Sequence, residues 1–87
     1  MLLPGVNMEG VTVTDEQIRE VIRNTPISKI ESTISEYIHD SRNREIARRK
    51  LVNGEAYEPL SEAFDLTPGQ VKNIIRKARR IIFEHLK

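Results

Sequence analysis

The chain has 87 residues, of which 38% are apolar and 31% charged, and its formal net charge is +1. This length and composition indicate one globular domain with a thin core rather than a disordered chain. The absence of cysteine excludes disulfides and zinc–thiolate sites, and no apolar run approaches the ~20 residues of a membrane span. The N-terminus lacks the basic start and apolar segment of a secretory signal, so we expect a cytoplasmic protein.

The N-terminal part of the chain predicts a tail followed by two acidic helices. Residues 1–13 contain proline and glycine without periodicity, which indicates a flexible tail. Thr14 and Gln17 have the spacing of a capping box, so the first helix is predicted to begin there and to end near Asn24. The two helices of residues 14–40 are expected to serve in packing or dimerisation.

The next helix boundaries depend on capping residues. Thr25 before Pro26 predicts a second helix that starts at the proline and runs to about Asp40. Ser41 is the predicted cap of a third helix, which is expected to stop at a left-handed Gly54. Because neither glycine nor proline separates the second helix from the third, one long bent helix is the alternative.

The C-terminal half predicts two helices joined by a tight turn. A helix over residues 57–64 is followed by Thr67 and Pro68, which restart the chain as a helix that extends to Leu86. Asp65 is expected to adopt a positive φ in the turn. The last helix has the spacing of one buried face, formed by Val71, Ile74, Ile75 and Ala78. The chain is therefore predicted to be all-α with about five helices.

Charge is distributed unevenly along the chain. Residues 1–40 hold three basic and seven acidic side chains, whereas residues 41–87 hold eleven basic and six acidic ones. No acidic residue occurs between Pro68 and Phe83. A solvated helix face normally mixes both signs, so this cationic segment indicates contact with a polyanion such as nucleic acid.

These features together predict a helix-turn-helix that binds double-stranded DNA, with the second helix in the major groove. Side chains near the start of that helix reach base edges first, and amide side chains can pair with adenine. The candidates for base contacts are Thr67, Gly69, Gln70, Lys72, Asn73 and Arg76. The candidates for phosphate contacts are Arg48, Arg49, Lys50, Lys77, Arg79 and Arg80. For the basic residues of the third helix, ion pairing with the two acidic helices is an equal alternative.

No arrangement of residues indicates an enzyme. Glu58 and Glu62 are one turn apart, which is a common spacing on a solvent-facing helix. His39 and His85 are distant in sequence and lack the spacing of a metal motif. There is no glycine-rich phosphate loop and no nucleophile next to a base. We therefore expect no catalysis, no metal and no cofactor.

The segment over residues 44–82, REIARRKLVNGEAYEPLSEAFDLTPGQVKNIIRKARRII, resembles region 4 of bacterial sigma factors and related small helix-turn-helix regulators, many of them from phages and mobile elements. The matching positions are Leu51, Gly54, Tyr57, Leu60, Ser61, Thr67, Val71 and residues 77–81. The resemblance implies that the domain at residues 41–87 binds a promoter-like element, with Asn73 at a base-contacting position. It also implies contact with RNA polymerase.

We therefore expect a small transcriptional regulator that binds duplex DNA in a sequence-specific manner. The alternatives are a protein-interaction module that binds RNA polymerase or a sigma factor, and a phage accessory protein of DNA packaging or recombination. A homodimer is expected as well, because one recognition helix buries little surface and two half-sites raise the affinity.

Overall fold

A computed structural model describes residues 13–86 of the chain. The helices are α1 Asp15–Arg23, α2 Ile27–Tyr37, α3 Ser41–Leu51, α4 Tyr57–Phe64 and α5 Pro68–Leu86, and the described residues contain no strand. The prediction of an all-α chain with five helices is thus confirmed. The predicted N-terminal tail lies outside the described residues, with the exception of Val13.

The start of α1 has the predicted capping box. The Gln17 N–H donates to the Thr14 hydroxyl at 3.1 Å, and the Thr14 N–H donates to the Gln17 side-chain oxygen at 2.9 Å. Two backbone donors that would otherwise lack partners at the helix end are satisfied in this way. The helix ends with Asn24 as its C-cap, where the sequence predicts its end.

Two capping predictions are wrong by one residue. Pro26, not Thr25, is the N-cap of α2, because the Thr25 hydroxyl instead donates to a carbonyl of α1 at 2.7 Å. Asp40, not Ser41, caps α3, and its carboxylate accepts the Asn43 N–H at 3.0 Å. A carboxylate is the stronger acceptor for backbone N–H groups at a helix N-terminus, where the helix dipole also favours a negative charge.

The α2 helix is shorter than predicted and ends at Tyr37. Ile38 follows it with an extended backbone, φ −104° and ψ 106°, and with only 5% of the residue exposed. This break lets Ile38 enter the core while the chain turns into α3, which excludes the alternative of one long helix. After α3, Gly54 has a φ of 75° and its N–H donates to the Lys50 carbonyl, so the predicted left-handed glycine is confirmed.

The last helix is the centre of the fold, because α5 packs against each of the other four helices. One apolar cluster joins the α2 region, α3 and α5 through Ile30, Ile34, Ile38, Ala47, Ala78 and Ile82. A second cluster joins α3, α4 and α5 through Ile46, Leu60, Val71 and Ile75. The stripe of α5 is buried as predicted, except that Ile74 is only half-buried. The opposite side of α5 consequently faces solvent.

Three isoleucines of α1 and α2 are buried within one copy of the chain. Ile18, Ile30 and Ile34 are 1%, 2% and 0% exposed, so a second copy is not needed to remove them from water. The large apolar side chains left exposed among the described residues are Val21, Ile27 and Tyr37. A homodimer stays a prediction, and its interface would have to use this remaining surface.

The turn between α4 and α5 has the conformation predicted for it. Asp65 has φ 56° and ψ 46°, the left-handed region that costs an L-residue ~1–2 kcal/mol. The Leu66 N–H donates to the Ser61 carbonyl at 2.9 Å, and Ser61 is only 6% exposed. The Ser61 hydroxyl donates to the Glu58 carbonyl at 2.8 Å, so this buried polar group is paired.

Replacing Asp65 with valine should lower the free energy of unfolding by about 1–2 kcal/mol, because a β-branched residue tolerates a positive φ poorly. The matched change Asp65→Gly should not lower it, because glycine adopts this φ without a Cβ clash. Thermal unfolding followed by circular dichroism measures both variants. An equal loss in both would show that the aspartate side chain, and not the backbone conformation, stabilises the turn.

Candidate nucleic-acid interface

The N-terminus of α5 begins with a second capping box. The Gln70 N–H donates to the Thr67 hydroxyl at 3.1 Å, and the Thr67 N–H donates to the Gln70 side-chain oxygen at 2.9 Å. The Thr67 hydroxyl and the oxygen of the Gln70 amide, both predicted to contact bases, are therefore engaged in starting the helix. The signal for this role was present in the sequence, because Thr-x-x-Gln also occurs at residues 14–17.

The side of α5 opposite its apolar stripe is open to solvent. Gly69, Lys72, Asn73 and Arg76 are all exposed, and at 3.6 residues per turn they share one face of the helix. A Cβ added at Gly69 would meet only the Thr67 side chain, at 3.9 Å. No packing among residues 13–86 requires glycine there, and its missing side chain leaves room for a ligand to approach the backbone closely.

Two lysines from different helices lie near the Tyr57 ring. The Lys50 ammonium is 4.3 Å from the centre of the Tyr57 ring, and the Lys72 ammonium is 5.5 Å from it. Cations are attracted to the face of an aromatic ring, and here they bring positive charge from α3 and α5 together beside the start of α4. The sequence indicates both lysines but not Tyr57, because their proximity depends on how the helices pack.

Two arginines of α3 are already paired with carboxylates. Arg49 donates to both oxygens of Glu55, at 2.8 and 2.9 Å, and Arg48 pairs with Glu45. The hydrogen bond from Arg49 lowers the pKa of the Glu55 carboxyl and raises the pKa of the Arg49 guanidinium. The hydrogen bond with Glu45 raises the pKa of Arg48, and Glu31 of α2 adds only a minor effect. These partners lie on α3 and in the loop after it. The two arginines therefore form their ion pairs with carboxylates outside α1 and α2.

The acidic α1 pairs with α5 instead. The Asp15 carboxylate lies 3.8 Å from Arg76 Nε and 3.4 Å from Arg80 Nη2. The two arginine side chains remain 59% and 50% exposed, so these ion pairs lie at the surface, where solvent screens them. From the sequence, ion pairs between the acidic helices and α3 were one of two alternatives. In the structure, Asp15 of α1 pairs with Arg76 and Arg80 of α5 instead.

Lys77 and Arg79 are cations of α5 that form no ion pair with any described residue. Lys77 lies at the edge of a surface pocket of ≈ 190 Å³ between α5 and the start of α3. The other residues that line the pocket are Ile38, Arg42, Asn43, Ile74, Ala78 and Ile81. None of them is acidic, so the pocket is lined by apolar and cationic side chains together with one amide.

Neither a metal-binding cluster nor a membrane-spanning helix occurs in the part of the chain that the structure describes. No group of three or more histidine, cysteine, aspartate or glutamate side chains there could hold a metal ion. None of its helices is both long and apolar enough to cross a membrane. His85 stacks on Tyr37 with the ring centroids 3.5 Å apart, so this histidine contributes to packing between α5 and α2.

The described residues define a small five-helix protein whose longest helix combines a buried apolar stripe with an exposed face of basic and amide side chains. No protein-family model, curated protein or solved structure matches this chain. What the protein does therefore has to be inferred from its own side chains and geometry.

Proposed function

We propose that this protein binds double-stranded DNA in a sequence-specific manner, as a small transcriptional regulator, with α5 in the major groove. The observation that carries the proposal is the division of α5 into two sides. Its apolar stripe is buried, and its exposed side holds lysine, arginine and asparagine with no acidic residue before Glu84. An α-helix fits the major groove, and such side chains pair with base edges and phosphates there.

The connection between α4 and α5 supports a helix-turn-helix. A turn of three residues separates the two helices, which is the length that commonly joins the helices of this motif. Leu60 of α4 packs with Val71 and Ile75 of α5, and the left-handed Asp65 lies in the turn between the two helices. This packing holds the apolar side of α5 inward and presents its first turns to solvent.

The proposed contacts fall into two groups. Asn73 is the first candidate for a base edge, because its amide can pair with both hydrogen-bonding groups of adenine in the major groove. The candidates for phosphate are Lys50, Lys72, Arg76, Lys77, Arg79 and Arg80, of which Lys50 and Lys72 both lie near the Tyr57 ring. Phosphate contacts fix the position of the protein on the duplex, and base contacts choose the sequence.

Selection from a randomised duplex library at two salt concentrations tests the proposal. The expected result is enrichment of one sequence motif, with an affinity that falls steeply as salt rises when measured by fluorescence anisotropy. Absence of binding at low salt would reject the DNA-binding function. Binding without an enriched motif would reject the sequence-specific regulator.

Replacing Arg76 with alanine should weaken DNA binding several-fold without lowering the thermal unfolding midpoint, because this side chain is 59% exposed and outside both core clusters. If Arg76 contacts a phosphate, the log–log salt slope should also fall by about one. Lys29→Ala is the matched control, since it removes an exposed positive charge from α2. Reduced thermal stability with unchanged DNA affinity would contradict this role for Arg76.

One observation favours a second candidate, a module that binds RNA polymerase or a sigma factor. The pocket beside Lys77 and Arg42 is lined by apolar and cationic side chains together with one amide, which suits an acidic protein surface that presents an aliphatic side chain. Enrichment of a DNA motif by the isolated chain separates the two candidates, because only the first predicts it.

A further inference from the structure

We infer that Asp15 is an intramolecular competitor for the DNA phosphates that Arg76 and Arg80 bind. Its carboxylate faces the two guanidinium groups while α5 is free, and DNA must displace it. Asp15 belongs to α1, whereas the proposed DNA contacts lie on α3 and α5. A residue outside the contact surface thereby sets part of the affinity for DNA and its salt dependence. This inference rests on the DNA-binding function proposed above and adds its regulation by the N-terminal part of the chain.

The contacts join two helices that are distant along the chain. Asp15 Oδ2 lies 3.8 Å from Arg76 Nε, and Asp15 Oδ1 lies 3.4 Å from Arg80 Nη2. The two arginines are one turn apart on the same face of α5, so one carboxylate serves both. These are the only ion pairs between α1 and α5 within residues 13–86.

The packing of α1 fixes the position of Asp15 independently of the arginines. Ile18, one turn later on α1, is only 1% exposed. The capping box of Thr14 and Gln17 holds the first turn of the helix, and Asp15 is its first residue. The backbone of Asp15 therefore stays beside α5 whether or not the guanidinium groups are engaged.

The two ion pairs are weak enough for DNA to displace. Both distances exceed the ~2.7–2.9 Å of a charge-assisted hydrogen bond. The Asp15, Arg76 and Arg80 side chains are 43%, 59% and 50% exposed. A DNA phosphate offers the arginines an equivalent anionic group, and binding to it also releases counterions from the duplex. Asp15 therefore lowers the affinity without preventing binding.

The test compares Asp15→Asn with the matched variant Glu16→Gln. Both remove one negative charge from the first turn of α1 and nearly preserve the side-chain size, but Glu16 forms no ion pair with a described residue. Asp15→Asn should tighten binding to duplex DNA about twofold to tenfold, as expected for exposed ion pairs. It should also steepen the log–log salt slope by up to about one, because the Asp15 charge no longer offsets part of the positive charge that neutralises the DNA phosphates. Glu16→Gln should produce a smaller change in affinity and the same slope as the unaltered chain.

Two further measurements separate a failure of this inference from a failure of the proposed function. In a chain with Arg76→Ala and Arg80→Ala, Asp15→Asn should change the affinity no more than Glu16→Gln does, which a double-mutant cycle measures. Without DNA, the NMR signals of the arginine Nε–H groups should shift in Asp15→Asn and not in Glu16→Gln.

Equal effects of Asp15→Asn and Glu16→Gln on affinity and slope would overturn the inference and leave the DNA-binding function intact. Arginine NMR signals that do not shift in Asp15→Asn would also overturn the inference and leave the DNA-binding function intact. If those signals shift but the unaltered chain does not bind duplex DNA at low salt, the proposed function fails, and the competitor role of Asp15 fails with it.

Discussion

Replacing Ile75 with alanine is expected to lower the free energy of unfolding by about 2–5 kcal/mol. Ile75 is 0% exposed and packs with Ile46, Leu60 and Val71, so its side chain joins α3, α4 and α5. Truncation removes buried methyl groups and leaves a cavity that the neighbouring helices can fill only in part. Domains of this size are typically stable by only about 5–15 kcal/mol, so the loss is a large share of the total.

The control for this prediction is Ile27→Ala. The same atoms are removed, but Ile27 is 58% exposed, and surface substitutions usually change stability by less than about 0.5 kcal/mol. Urea denaturation followed by circular dichroism measures both variants. A similar loss in the two would show that the packing around Ile75 does not stabilise the fold as the structure indicates. Ile74→Ala should fall between them, because Ile74 is half-buried at the edge of the pocket.

Replacing Asn73 with alanine is expected to remove discrimination at one base pair of the DNA site, an effect of about 1–3 kcal/mol or roughly 5- to 150-fold. The Asn73 side chain is exposed on the same face of α5 as Lys72 and Arg76. It belongs to neither core cluster, so the loss should appear in binding and not in folding. Its neighbour Gln70 is the less suitable base-contacting residue, because its side-chain oxygen is engaged in the cap.

The measurement uses the duplex motif obtained by selection and a set of duplexes with single base-pair changes. Asn73→Ala should bind the best site more weakly and should no longer distinguish the four base pairs at one position. Ser35→Ala is the control, because it removes an exposed polar group from α2. Unchanged discrimination at every position, together with a fall in affinity for all duplexes alike, would assign Asn73 to the phosphate contacts instead.

Local features of the fold could be predicted because they depend on residues three or four positions apart. The capping box at Thr14, the left-handed Asp65 and the left-handed Gly54 all belong to this class. The caps predicted at Thr25 and Ser41 were each wrong by one residue. Thr25 does not cap α2 because its hydroxyl donates to a carbonyl of α1. Ser41 does not cap α3 because the carboxylate of Asp40 is the stronger acceptor.

The sequence by itself determined the all-α class, the five helices, the buried stripe of α5 and the cationic character of its other side, because these follow from periodicity and composition. Only the tertiary structure decided which charges meet. It paired Asp15 with Arg80, 65 positions away, and brought lysines of two different helices to the Tyr57 ring. Such contacts depend on the packing of several helices at once, which no spacing within one helix specifies.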